Sequence, residues 1–474
     1  MQPTLIPSHS GREPLHSHNQ SLEPTNPQAR MQRVDVGIAD GPSALPLSTL
    51  AAATLAACGG GESDKSSEVA ASNDQKVDNN GTGTNPTPLP VKPTAPQAAR
   101  FLMQAAFGGT YAQVEEVMAK GYEPWLDEQL AAPLSDSHYD WIVNSGFLGA
   151  GQSSKLGMDN TLWRKLMSAP DVLRQRVAFA LSQIFVVSIE GLGAIIWRNV
   201  AAAAYMDLLE KHAFGNFADL LKAVSLSPAM GAYLNMKGSV KASGTSAPDE
   251  NYAREVMQLF TIGLYQLNPD GSRKLQNGKP IETYQQADVS NLAAILTGWN
   301  FKSESDPAKL GYLNAEMTHT ANLFSAGDKS YIGGYIANTV SGPDALTQVM
   351  NFLANHDNVG PFIGRQLIQR LVCSNPSPSY ISRVSAAFAQ QVNGRRGDMK
   401  TIIKAVLLDP EARNVPSDPL AWAQYGKLRE PALRLVQWAR TFKVTSTTPN
   451  LNQVPPIVGL APGISAIYRV MSQA

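Results

Sequence analysis

"PDVLRQRVAFALSQIFVVS", residues 170–188, decides how this chain folds. It opens on Pro170 and Asp171, which suit the first turn of a helix. Proline there loses an N–H that would have no partner, and an acid complements the positive end of the helix dipole. The apolar residues that follow are too dense for a helix with one wet face, and imply burial on most sides. A helix buried on most sides needs other helices around it. The expected fold is therefore mainly α: a multi-helix domain.

The neighbouring segments agree. "TYAQVEEVMAKG" (110–121) carries a capping box, Thr110 with Gln113, and a stop at Gly121. "SLSPAMGAYLNM" (225–236) is a turn into a short helix. "DENYAREVMQLFTIG" (249–263) begins with acids and ends on Gly263, with Tyr252, Val256 and Leu259 sharing one face. "TYQQADVSNLAAILTGWN" (283–300) repeats the box with Thr283 and Gln286, and Val289, Leu292, Ala293 and Leu296 form its stripe. Between those two helices, "NPDG" (268–271) flanked by short alternating segments predicts a small β-hairpin insertion. Further helices are expected over 344–355, 359–372, 379–391, 398–408 and 427–441. No βαβ alternation and no fixed-period repeat is present.

Composition narrows the function. The 474 residues carry 39 basic and 39 acidic side chains, so the formal net charge is zero and no nucleic-acid partner is expected. Hydrophobic residues, at 43%, are enough for a large core. The two cysteines, Cys58 and Cys373, form no disulfide framework or zinc pattern, and Cys373 after "QLIQRLV" reads as a buried small hydrophobe. His138, His212, His319 and His356 stand isolated in sequence. There is no HExxH, no GxSxG and no phosphate-binding glycine loop, so no metal and no cofactor is expected. Beyond residue 97 no apolar run approaches the roughly 20 residues that span a bilayer.

The N-terminal part is of another kind. Residues 1–43 are polar and without period, 44–58 form an Ala/Leu run ending in a cysteine, and 59–97 carry almost no bulky apolar residues. Such segments cannot bury enough surface to fold, so a disordered extension and tether precede a helical domain over 98–442. Leu55-Ala56-Ala57-Cys58 matches a bacterial lipobox, which makes Cys58 the expected site of lipidation and a lipid anchor the expected link to the membrane. Gly59, in the absence of aspartate there, points to the outer membrane. The basic start of a signal peptide is weak: a start at Met31 would leave Arg33 as its only basic residue. The bland alternative is a chance cysteine in an alanine-rich segment.

"ARFLMQAAFGGT", "HAFGNFADLLKAVSLSPAMGAYLNM", "PDENYAREVMQLFTIGLYQLNPDG", "DVSNLAAILTGWNF", "NHDNVGPFIGRQLIQRLVCSNPSPSYISRVSAAF" and "RGDMKTIIKAVLLDPEAR" follow in order over residues 99–413, and "GKLREPALRLVQWAR" comes after. Together they resemble the bacterial family catalogued as domain of unknown function 1800. The resemblance implies an exported, mainly helical protein of uncharacterised activity. It also suggests a partner, since genes of the family often lie beside those of the sulfatase-like domain of unknown function 1501 family. Relatives usually continue past the "KLREP" helix with a Phe/Pro/Asn-rich segment. Residues 443–474 are instead apolar and irregular, as if truncated or frame-shifted.

Candidate site residues lie within the family-like words. Asn251, Arg254 and Glu255 sit within one helical turn and could point to one region, binding a polar group or acting as acid and base. A helix must also place something polar outward, and Arg–Glu pairs often only brace neighbours. His319, in the irregular stretch 318–334, could serve as a base with Asp288 or Glu255 orienting it. Lys329 lies in the same stretch, and Trp299 with Tyr312, Tyr331 and Tyr335 could offer a carbohydrate-stacking surface. His356-Asp357-Asn358 reads as a helix start. Two functions follow. The first is an accessory envelope lipoprotein that binds a partner protein or a polysaccharide. The second is a hydrolase of envelope or extracellular polymers using Glu255, Asp288 and His319.

The anchor is directly testable. Cys58→Ser is expected to release the protein from membranes and abolish lipid labelling. A variant that stays membrane-bound, with unlabelled wild type in the cytoplasm, contradicts it.

Overall fold

The computed structural model describes residues 92–150, 155–302, 310–416, 418–422 and 425–444. Cys58, its flanking run and tether to residue 91, and the C-terminal segment from 445 lie outside the described residues. The chain is mainly helical. Helices α1 (Ala95–Ala105), α2 (Tyr111–Lys120), α3 (Tyr122–Ala131), α4 (His138–Asn144) and α5 (Met158–Ser168) lead to α6 (Val172–Ser182). After it come α7 (Arg198–His212), α8 (Phe217–Leu226), α9 (Pro228–Tyr233), α10 (Asn251–Gln258) and α11 (Gln286–Ile295). The last group is α12 (Gly342–Asn355), α13 (Val359–Leu371), α14 (Pro378–Ala389), α15 (Met399–Leu408) and α16 (Pro431–Thr441). Among the described residues no helix is long and apolar enough to cross a membrane.

Helix α6 is the centre. Every residue from Val172 to Leu181 is buried, Arg174, Gln175 and Arg176 included. It packs on α3, α7 and α13, and α13 in turn packs on α14 and α15. The helix stops at Ser182, short of 188. Ile184, Val186 and Val187 are β-branched and resist helical χ1 restriction, and Phe185 leaves the helix to pack on Phe217 and Phe260, at 6.2 and 5.2 Å between ring centroids.

Capping chemistry sets the boundaries. α1 begins at Ala95, within the stretch that composition marks as linker. The Thr94 N–H donates to Gln97 Oε1 at 2.8 Å, and Pro96 fits the first turn. α2 keeps its predicted box: the Thr110 N–H donates to Gln113 Oε1 at 2.9 Å, and Gly121 takes φ 88°. At α11 the box belongs to Gln285 and Asp288 rather than Thr283 and Gln286. An ionised carboxylate is the stronger acceptor for an orphan N–H, and the Thr283 hydroxyl is committed to the Gly263 carbonyl. In α10, Tyr252 and Val256 are buried as expected, but Leu259 is exposed and Phe260 takes the core. The cause is a widened exit, in which Phe260 N–H reaches back to Glu255 O and Ile262 N–H to Met257 O.

Among the described residues, three small two-stranded antiparallel ladders decorate the bundle, where one hairpin is expected. β1 (Leu275–Gln276) and β2 (Lys279–Pro280) form that hairpin. Its two-residue turn is Asn277-Gly278, both at positive φ, which is the type I′ signature. "NPDG" instead closes a second turn, with the Asn268 N–H donating to Ser272 O at 2.8 Å. β3 (Trp299–Asn300) pairs with β4 (Thr318–His319), and β5 (Lys329–Tyr331) with β6 (Gly334–Ile336). Asn358 is the start of α13, as its sequence suggests, but its side chain works elsewhere. Buried, it donates to Ile262 O and Tyr265 O at 2.8 and 2.7 Å and accepts from the Leu267 N–H at 2.9 Å, riveting the hairpin root to α13.

Helix C-termini leave carbonyls without intrahelical partners. In this bundle many of them are met by arginines from other helices. Arg440 of α16 donates to Leu166 O and Ala169 O at the end of α5, at 2.6 and 3.1 Å. Arg370 of α13 closes α6 through Gln183 O at 2.8 Å, and Arg176 of α6 closes α13 through Arg370 O at 2.6 Å. Arg174 bridges Ala132 O after α3 and Glu210 O of α7, at 3.0 and 3.2 Å. Arg396 reaches Asn355 O at the end of α12 at 3.0 Å. The positive fork suits both the lone pairs and the negative end of the helix dipole. Burial pushes the Arg440 guanidinium down to about 10, so it remains charged at neutral pH.

Arg440→Met is expected to lower the unfolding free energy by about 2–4 kcal/mol, since it strips charged donors from buried carbonyls. Arg440→Lys recovers only part, because an ammonium cannot reproduce the fork. Denaturant unfolding of both variants checks the order.

Candidate functional site

The outer face of α10 carries the first group of candidates. Arg254 Nη2 donates to Glu250 Oε2 at 3.1 Å and to Gln286 Oε1 of α11 at 3.2 Å. Glu250 also accepts from Gln286 Nε2 at 2.8 Å and Ser290 Oγ at 2.6 Å. Its carboxyl is held below the usual range, first by Ser290 and then by Gln286 and Arg254, against burial. The carboxylate that Arg254 engages is therefore Glu250, and the cluster braces α10 against α11. Asn251 is exposed. Glu255 has one buried oxygen with no hydrogen-bond partner, and burial pushes its carboxyl up, with Arg254 opposing.

Asp288 is engaged on both oxygens. It accepts from the Gln285 N–H at 2.7 Å and from the Ile332 N–H at 2.6 Å. Ile332 sits at φ 46° in the β5–β6 turn, an uncommon conformation for a β-branched residue. Asp288 thus closes the start of α11 and holds a strained turn in place.

His319 and Lys329 both lie against Phe324, and Trp299 lies against His319. Trp299 and His319 are cross-strand partners on β3 and β4, with rings 5.1 Å apart. His319 meets Phe324 at 5.4 Å, and Lys329 Nζ lies 4.6 Å from the centre of the Phe324 ring. Lys329 is buried and donates to Gly327 O at 2.8 Å. The imidazole fits because Gly342 stands beside it: a Cβ there would fall 2.1 Å from His319 Nε2. Burial lowers the His319 pKa, with the Thr297 backbone opposing, so the ring is neutral at neutral pH. The carbohydrate-stacking surface is not formed as expected. Trp299 and Tyr331 are buried, Tyr312 is half-buried, and Tyr335 is the exposed member. Among the described residues no hydrogen bond or ion pair joins Glu255, Asp288 and His319.

Sequence reading missed a dense, buried polar cluster. His138, isolated in the chain, is fully buried. Its Nε2 pairs with Glu210 Oε1 at 2.8 Å and its Nδ1 with Thr161 Oγ1 at 2.9 Å. Lys165 takes the other Glu210 oxygen. Asp207 accepts from Ser137 Oγ and from the His138 and Tyr139 N–H groups, at 2.8, 2.7 and 2.8 Å, capping α4 from α7. One donor atom each of His138, Asp207 and Glu210 lies within 4.8 Å of the others, as a metal site would require. The donor set argues for structure instead: both imidazole nitrogens are engaged, and the Lys165 ammonium already serves as the counter-charge of Glu210. The available signal was Asp207 and Glu210 at i,i+3 on α7; their partners come from α4 and α5, which only packing brings near.

A family model described as Protein of unknown function (DUF1800) matches residues 100–464, and the chain belongs to that family. No curated protein and no solved structure matches it.

Glu210 gives a pH-dependent test. Burial pushes its carboxyl up, but the His138 hydrogen bond and charge and the Lys165 charge outweigh this, leaving it below its ordinary 4.5. A lowered carboxyl contributes stability above its unfolded value and loses it as pH falls through the folded value. Glu210→Gln is therefore expected to cost about 3–5 kcal/mol at neutral pH, because it leaves Lys165 buried without its counter-charge. The gap to wild type should narrow as pH falls below 4.5. Urea unfolding across pH would contradict this if the gap stayed constant.

Proposed function

We propose that this DUF1800 protein is an exported, lipid-anchored envelope protein whose helical domain binds a partner protein or a polysaccharide and does not hydrolyse one. The observation that carries this reading is that, among the described residues, no hydrogen bond or ion pair joins Glu255, Asp288 and His319, which a hydrolase would need together. Asp288 gives both oxygens to backbone amides. Arg254 braces two helices through Glu250. His319 is boxed by Trp299 and Phe324. A general acid or base must share a cleft with a second group and a reacting atom.

The anchor is Cys58, and the polar stretch that follows is the tether. As a flexible coil, a stretch of that length would reach roughly 35 Å at ~5–6 Å per root residue. The sulfatase-like domain of unknown function 1501 protein is the partner of choice, and nucleic acid is not a ligand, given the zero net charge. One observation favours the hydrolase alternative: the raised carboxyl of Glu255 with its unpaired oxygen, the profile of a general acid.

The two readings separate in one experiment. The purified full chain should form a complex with its sulfatase-like neighbour, visible by size-exclusion chromatography, and Glu255→Gln and His319→Gln should retain it. Depolymerisation of an envelope polysaccharide by wild type, lost in both variants, would overturn the binding reading.

A further inference from the structure

A cavity of about 130 Å³ opens between α1, the end of α13 and the segment leading into α16. Arg100, Arg176, Lys427 and Arg429 line it, with Tyr425 and Cys373 among the other lining residues, and no carboxylate does. Elsewhere in the bundle buried arginines reach helix-end carbonyls, and some of them, Arg174 and Arg370 included, keep a single unpartnered nitrogen. Here unpartnered donors of Arg100, Arg176 and Arg429 gather around one cavity. Arg176 is 1% exposed and uses Nη2 on the Arg370 carbonyl, but its Nε and Nη1 have no hydrogen-bond partner. Arg100 Nε, Arg429 Nε and the Tyr425 hydroxyl are likewise buried and unpartnered. Leaving several charged donors unpaired in a low-dielectric site is costly.

Local counter-charge offsets them only in part, through Glu430, whose buried Oε2 has no hydrogen-bond partner of its own. Glu430 is the acid that acts on Arg176, and its Oε1 is held by Lys427 at 2.9 Å. Four lining cations against that one carboxylate leave the site strongly positive. Burial pushes the Arg176 guanidinium down to about 10, with Glu430 opposing and Arg429 adding to the fall, so Arg176 remains charged at neutral pH.

We propose that this cavity binds a tetrahedral oxyanion, a phosphate or sulfate group. Donors approach from three walls: Arg100 of α1, Arg176 of α6, and Lys427 with Arg429 before α16. Three or four oxygens can answer three walls, whereas the two oxygens of a carboxylate are served by a single fork. The volume suits a head group and not a whole nucleotide or sugar chain, since sites for drug-sized ligands run from about 300 Å³ upward. The anion is either free or the tip of a larger molecule left outside, such as a sulfated polysaccharide or a phospholipid. This goes beyond the binding reading above, because the cavity stands whether or not the chain is anchored or meets a protein partner.

The test is calorimetric titration of the full chain with inorganic phosphate and with sulfate in a constant chloride background. Saturable binding is expected for both, weakened about tenfold or more in Arg429→Gln and in Lys427→Gln, each of which removes a charged donor. A readout that needs no variant is arginine modification by phenylglyoxal: phosphate should slow it at Arg429 and leave Arg254 unaffected. Competition by a sulfated oligosaccharide assigns the polymer source, competition by vesicles containing phosphatidic acid assigns the lipid source, and competition by neither assigns the free anion. Absence of saturable binding to wild type, or equal binding by correctly folded variants with no protection of Arg429, overturns the proposal.

Discussion

Guanidinium groups hold the ends of these helices. A bundle whose central helix is buried along ten consecutive residues also buries the termini of its neighbours. Buried termini carry carbonyls that water cannot reach. Arginine is suited to this problem: it stays charged, its donors form a planar fork, and its stem packs against apolar surface. The pattern is reciprocal at the core, where Arg176 of α6 closes α13 and Arg370 of α13 closes α6. Arg440 carries the last helix back onto α5 in the same way. Removing one such residue leaves several acceptors unpaired at once, so these positions should tolerate change worse than their partial exposure suggests.

The local layer of this fold was legible in the chain. Capping boxes, terminal glycines and apolar stripes located most helices, because each depends on residues within one or two turns of one another. What failed shows where tertiary structure took over. Thr283 has the spacing of a cap but serves a carbonyl 20 positions earlier. Leu259 has the right phase for the core of α10, but the widened exit of the helix turns Phe260 inward instead. Asn358 reads as a helix start and is one, yet its side chain anchors the hairpin root some 90 positions away.

The candidate sites divide along the same line. Trp299 and His319 were both named from sequence, but their pairing across a ladder and their burial were not visible there. Arg254 was expected to work with Glu255 and works with Glu250. The His138–Glu210–Lys165 network and the arginine cavity gather residues from up to 329 positions apart, as from Arg100 to Arg429, and no local spacing marks either of them. Buried arginines play two parts here: they build the bundle by meeting carbonyls, and where unpartnered nitrogens of Arg100, Arg176 and Arg429 collect beside one cavity they make the proposed anion site, with Arg176 doing both.

That distinction is the central claim, and one measurement addresses it directly. Crystals of the full chain grown with selenate, a sulfate analogue, would be measured near the selenium absorption edge. The account predicts an anomalous peak within hydrogen-bond reach of Arg176 and Arg429, with Arg440 still on the carbonyls at the end of α5 and no anion beside it. A cavity without a peak, in which Glu430 has turned to pair with Arg176, would contradict it.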